Sequence, residues 1–230
     1  MDHLARLLCL SLLLWCLCPP DAAAGPWPRE AGAGFTAQGV KPSWPLQAEG
    51  GGAEIYSSFY LEYGLRGGTT LGLDLGRGAT GKGKVIAFLR RPVPVASDRW
   101  LAAVTIGAGR IDGAEVLRPG LSLGRGVQLP RRSEEPLTGW LSLDAFAEHY
   151  LRQGRTDLKI DVTLGVNHRS GRKYMLQLQA GRAAGARSFL RLAPSVAIPL
   201  RGGRHLEAGL SVGLAGEDRW GVTLGLWREF

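Results

Sequence analysis

Nine charged residues, Glu62, Asp74, Arg118, Asp144, Glu148, Lys159, Asp161, Arg191 and Glu207, share one property: each sits on the polar side of a local two-residue alternation. In a β-strand that period sends successive side chains to opposite faces. Both signs of charge, repeated on the polar faces of many strands, describe the wall of a water-filled conduit that sorts solutes by charge. The same residues can instead pair across strands and fill a closed interior. Either way they are lumen-lining candidates. The two outcomes differ in whether space is left between the walls.

Little other chemistry is on offer. Residues 76–83 read Gly-Arg-Gly-Ala-Thr-Gly-Lys-Gly and approach a phosphate-binding loop. Gly83 stands where that motif needs Ser or Thr, and no helix follows, so the stretch reads as a hairpin loop. His149, His168 and His205 lack the two-His spacing of a metal site. His149 with Ser142 or Ser170 is the Ser–His pairing to weigh for a hydrolase, but a lone His at a strand end is ordinarily interfacial. Cys9, Cys16 and Cys18 all precede residue 25, so the chain beyond has no disulfide framework and no thiolate metal site. The sequence assigns no catalytic residue, metal or cofactor.

The elements that must position the charges are strands. After a first short strand at Phe35–Val40 and a loop rich in Pro and Gly over 41–53, the alternation is nearly continuous. Phe59, Leu61, Tyr63 and Leu65 share one face, with Tyr56, Ser58, Tyr60 and Glu62 opposite. Leu71, Leu73 and Leu75 alternate with Gly72 and Asp74. In Lys84–Arg90 the inward face stays ambiguous. Further strands follow through Val104 and Ile106, then Leu117–Leu123, then Leu141–Ala147. The clearest alternation is Leu158, Ile160, Val162, Leu164 and Val166 against Lys159, Asp161 and Thr163. Three more strands run through Leu176–Leu178, Leu190–Ile198 and Leu206–Leu214, before the closing stretch Trp220–Phe230. The count is about twelve. Trp140–Arg152 is the serious helical competitor, since Phe146, Tyr150 and Leu151 also fit a spacing of three to four.

Alternation alone also fits a soluble sandwich or a lipocalin-like barrel. Three features favour an all-β, antiparallel up-and-down transmembrane β-barrel of about 12 strands. The better-defined strands approach the roughly 9–11 residues of a tilted bilayer crossing. The polar faces are crowded with Gly, as a narrow lumen requires. Aromatics (Tyr63, Trp100, Trp140, Tyr150, Tyr174, Trp220, Trp227) gather near strand ends, as in interfacial girdles. No long loop is evident that would plug or gate the barrel.

Residues 1–24 read as a secretory signal peptide: Arg6, the apolar run Leu7–Leu17, then Ala22-Ala23-Ala24. The barrel is expected over 25–230, led in by a proline-bearing stretch over 25–32. Removing Asp2, Arg6 and Asp21 leaves 27 basic and 18 acidic residues, a net of +9. The basic residues are dispersed and the chain is exported, which argues against nucleic acid and for a membrane surface or an anionic solute.

The chain ends Gly225-Leu-Trp-Arg-Glu-Phe230. Trp227 and Phe230 resemble the assembly signal of bacterial outer-membrane barrels, although Arg228 stands where that signal usually has an apolar residue. With the lead-in Gly25-Pro-Trp-Pro-Arg-Glu-Ala-Gly-Ala-Gly-Phe35 and the run of candidate strands, the chain resembles uncharacterised proteobacterial outer-membrane proteins. Distantly, it is similar to the outer-membrane transporter family linked to phenol-degradation pathways. The resemblance implies a bacterial outer-membrane location, with membrane lipid and the barrel assembly machinery as partners. The expected function is a small channel or transporter-like barrel, not an enzyme, for small anionic or aromatic solutes. The alternatives are a structural or surface-interaction barrel with a closed lumen, and a lipid-modifying enzyme built on His149.

Overall fold

A computed structural model describes residues 25–47, 52–129 and 137–230. The signal-peptide reading of 1–24 and the charged loop at Pro130–Pro136 lie outside the described residues. Twelve strands follow in chain order: β1 Gly34–Pro45, β2 Glu54–Gly64, β3 Thr70–Gly78, β4 Gly83–Val93, β5 Leu101–Ile111, β6 Ala114–Leu129, β7 Leu137–Tyr150, β8 Arg155–Asn167, β9 Lys173–Arg182, β10 Phe189–Pro199, β11 Arg204–Ala215 and β12 Arg219–Glu229. Each pairs antiparallel with its sequence neighbours, and β1 pairs β12, so the sheet closes into a barrel with no free edge. Closure satisfies every ladder without water, the condition for crossing lipid.

The outward faces are apolar and have nothing to pack against. Leu71, Val104, Ile160, Leu176 and Leu224 all remain exposed, and Leu210 reaches 57 %. No second sheet covers them, so the arrangement is not a sandwich. The interior carries the charges, which excludes a soluble barrel with an apolar inside. A single sheet that is apolar outside and charged inside is built for lipid outside and water inside.

Three local expectations need correction. The first strand does not stop at Val40. Its pairing with β12 passes over Lys41 and Pro42, which has no N–H to donate, and resumes at Ser43↔Gly221. Trp44 then stacks on Trp220 at 4.8 Å. The helical competitor at Trp140–Arg152 is strand β7, because its even positions from Trp140 to Tyr150 all turn inward. The girdle reading fails for Trp140, Tyr150 and Trp227. Trp140 and Tyr150 are buried inside the barrel, and Trp227 lines its cavity. Tyr63, Trp100, Tyr174 and Trp220 stay outward and exposed.

The inward glycines also have a more specific role than narrowing the lumen. Gly72, Gly120, Gly165 and Gly181 sit directly across from Phe88, Phe146, Trp140 and Phe189. A side chain on any of them would run into the facing ring. Each ring lies over its glycine, so the aromatics flatten against the wall instead of blocking the lumen.

At the seam, Gly34 N donates to Phe230 O at 2.6 Å and Phe230 N donates to Gly34 O at 3.0 Å. The Phe230 ring covers Gly34, where a Cβ would collide with it. Arg228 points outward beside it, exposed, with its guanidinium 5.8 Å from the Phe230 ring centroid.

Candidate functional site: the barrel lumen

The lumen is not empty at the end where the chain enters. Residues 25–33 fold back into it. From Gly34 on β1 the segment reaches β6 and β7, five and six strands away and so on the opposite wall. Pro26 is fully buried, and Pro26 and Trp27 occupy the space that a side chain at Gly124 would fill. Gly25 packs against Ser142. At the rim, Gly32 N donates to Gly64 O at 2.9 Å, and the Glu30 carbonyl lies where a Cβ on Gly64 would sit. The lead-in is thus an inserted strap, contrary to the expectation that nothing plugs the barrel.

Its anchor is a buried charge cluster. Arg29 Nε donates to Glu62 Oε2 at 2.8 Å, and Arg29 N to Thr70 Oγ1 at 3.2 Å. Arg90 Nη1 donates to Glu62 Oε1 at 2.6 Å and to the Gly25 carbonyl at 3.1 Å. Tyr60 completes the carboxylate's shell, its hydroxyl donating to Glu62 Oε1 at 2.7 Å. Glu62 is 4 % exposed, so two guanidiniums and a phenol replace water around it.

A second cluster lies toward the other end. Lys84 Nζ and Arg118 Nη1 each donate to Asp74 Oδ2 at 2.7 Å. Arg118 also stands 3.8 Å from Glu148, which Lys159 approaches to 3.2 Å. Arg191 forks onto Glu217 and reaches Gln179 at 3.1 Å. Glu207 accepts from Trp227 Nε1 at 2.9 Å. Asp144 accepts from Ser122 at 2.5 Å and lies directly across from Asp161 in the β7–β8 register.

All nine candidate charges turn inward, but they divide. Glu62, Asp74, Arg118, Glu148, Lys159 and Arg191 belong to ion-paired clusters. Asp144, Asp161 and Glu207 have no ion pair within 4 Å among the described residues. The walls also differ in sign. Among the residues that line the cavity, Lys41, Arg90 and Arg118 outnumber Glu62 and Asp74 from β1 to β6, and Arg29 of the strap adds to them. From β7 to β11, the charged residues that line the cavity are all acidic: Asp144, Asp161 and Glu207. Between the walls lies a cavity of about 380 Å³, lined also by Phe35, Tyr60, Phe88, Trp140 and Phe146 and by Gln177 and Gln179.

Sequence reasoning passed over Arg29, Lys41, Lys84 and Arg90. Lys84 and Arg90 share the parity of Ile86 and Phe88, whose burial inside the barrel settles the ambiguous face of β4. Lys41 fell into an expected loop because Pro42 follows it.

The Ser–His pairings do not form. Ser142 is buried and faces inward, while His149, an odd number of residues away on the same strand, faces outward. His149 Nδ1 lies 3.0 Å from Thr156 Oγ1, and Ser170 is held by His168 at 2.8 Å.

No family model matches the chain, and no curated protein matches it. Solved structures do. The porin KdgM in complex with disordered oligogalacturonate superposes with a TM-score of 0.59 at 6 % identity, over 84 % of this chain and 99 % of that one. The NanC porin gives a TM-score of 0.59 at 9 % identity, over 84 % of this chain and 98 % of that one. At such low identity the likeness is one of fold: this chain has the closed 12-strand antiparallel barrel of the KdgM and NanC porins.

Proposed function

We propose that this chain is a small, non-enzymatic outer-membrane channel for small solutes, narrowed by its own residues 25–33. The observation that carries the reading is a cavity of about 380 Å³ between two charged walls, inside a barrel whose outer face is apolar. The outer-membrane location rests on that face, on the porin-type fold and on the export signal read in residues 1–24. The resemblance to transporters linked to phenol degradation bears on the solute. It favours an aromatic one, in keeping with the six aromatic rings that line the cavity.

The strap and the buried ion pairs favour a second reading, a closed structural barrel. Single-channel recording of the refolded protein in a planar bilayer separates the two. The channel reading expects discrete conductance steps. Silence from both the full chain and a chain lacking the strap would establish the closed barrel instead.

Trp227 and Phe230 are proposed as assembly contacts. Phe230 closes the seam over Gly34, and Trp227 on β12 donates to Glu207 of the neighbouring β11. Removing Phe230 is expected to lower the yield of folded, heat-modifiable barrel severalfold on insertion into lipid, with unchanged conductance in the molecules that do fold. Normal insertion of that truncation would place the assembly contact elsewhere.

A further inference from the structure

The lumen charges point to a class of solute that net charge does not. We infer, resting on the channel reading above, that the cavity selects small zwitterions: it receives an ammonium at Asp144 and Asp161 and a carboxylate at Lys41.

The chain's overall positive charge is a poor guide, because it lies largely away from the cavity. Arg66, Arg99, Arg169, Arg187, Arg201 and others are exposed in turns between strands. Inside, most charge is already satisfied. Glu62 is enclosed by Arg29 and Arg90, and Asp74 by Lys84 and Arg118. Of the cavity-lining carboxylates without an ion pair among the described residues, Glu207 already accepts from Trp227 Nε1, so what remains open to an ammonium is Asp144 and Asp161, with Lys41 facing them from the other wall.

Asp144 and Asp161 are adjacent across β7 and β8, two like charges where cross-strand pairing normally avoids them. Neither they nor Lys41 has an ion pair within 4 Å among the described residues. β1 and β8 are five strands apart around a ring of twelve, so Lys41 and Asp161 face one another from nearly opposite sides of the cavity that both line. Thr105 lines the same cavity. It is 5 % exposed, and its hydroxyl has no hydrogen-bond partner among the described residues.

A solute with one charge gains at one wall and meets repulsion at the other. A solute carrying both, separated by a few bonds, satisfies both walls at once. Gln177 and Gln179 offer neutral hydrogen bonds beside the acids, and the inward rings give an apolar surface for a side chain.

The test uses matched probes in a proteoliposome swelling assay with the full chain: phenylalanine, the cation phenethylamine, the anion 3-phenylpropionate, and glycerol as an uncharged reference. Phenylalanine is expected to enter severalfold faster than either singly charged analogue. Asp161→Asn and Lys41→Gln are each expected to abolish that preference, read as each probe's entry relative to glycerol entry in the same variant. Fastest entry of the anion or the cation, or a preference that survives both substitutions, would overturn the inference and leave the channel standing. Absence of swelling in every probe, glycerol included, would remove the channel reading itself.

Discussion

A chain lacking Pro26–Gly32 is expected to conduct severalfold more current per channel than the full chain, and to do so without loss of folded barrel. The strap crosses the lumen from β1 to the β6–β7 wall and fills space that no other described segment occupies. Conductance through a narrow pore follows its smallest open section, so clearing the strap should widen the step that limits flow. The barrel itself does not need the strap: all twelve ladders are complete without it, from the β1–β12 seam around to β1–β2. The two quantities to record are single-channel conductance and the heat-modifiable shift of the folded barrel on a gel. An unchanged conductance would mean that the strap leaves the lumen once the barrel is in a bilayer.

The strap's hold is modest in extent. Ordering each backbone residue costs about 1–2 kcal/mol. Against that stand the burial of Pro26 and part of Trp27, and a few charge-assisted hydrogen bonds worth about 1.5–3 kcal/mol each. Gly124 and Gly64 matter because both are bare where the strap touches the wall. Arg29 is its main polar anchor, so Arg29→Ala should reproduce much of the conductance gain of the deletion.

The barrel was legible in the sequence because its signal is local. Leu158–Val166 or Leu206–Leu214 states its face within a few residues, and short turns fix the antiparallel order. The strap was not legible, because it has no period. Two prolines break it, and its contacts join residues far apart: Arg29 to Glu62, and Gly25 to Arg90. Trp140, Tyr150 and Trp227 were misplaced although the sequence held the answer. Trp140 and Tyr150 share the parity of Asp144, and Trp227 that of Gly225 and Glu229, so alternation puts all three inside, and nearness to a strand end misled. Phe88 and Ile86 are a different case. Val85 and Leu89 are equally apolar, and only the register, which sets Gly72 and Gly107 beside Phe88, decides the face. The unpaired state of Asp144, Asp161 and Lys41 likewise depends on which strands lie opposite one another.

Glu62→Ala should have the largest effect on stability of any single lumen substitution. It strips the shared acceptor from Arg29, Arg90 and Tyr60 in one step, and leaves two guanidiniums facing each other in a site shielded from water. Breaking a buried ion pair by removing one partner costs about 3–5 kcal/mol. Glu62→Gln keeps the shape and one acceptor oxygen, and should cost less. Urea unfolding of the refolded barrel gives the stability, and the same samples give the conductance. The two readouts separate wall from strap. Arg29→Ala frees the strap, raises conductance and costs the barrel little, because Arg90 still neutralises Glu62. Glu62→Ala frees the strap and also loosens the β2–β4 wall, where Arg90 loses its partner, so both readouts move. A double substitution of Arg29 and Glu62 should be less damaging than the sum of the two singles, since one unpaired charge is removed with its counterpart. Stability of Glu62→Ala equal to that of the parent would mean that lumen water already solvates Arg29 and Arg90, and the strap would then be held by the burial of Pro26 and Trp27 and by its backbone bonds to Thr70, Arg90 and Gly64.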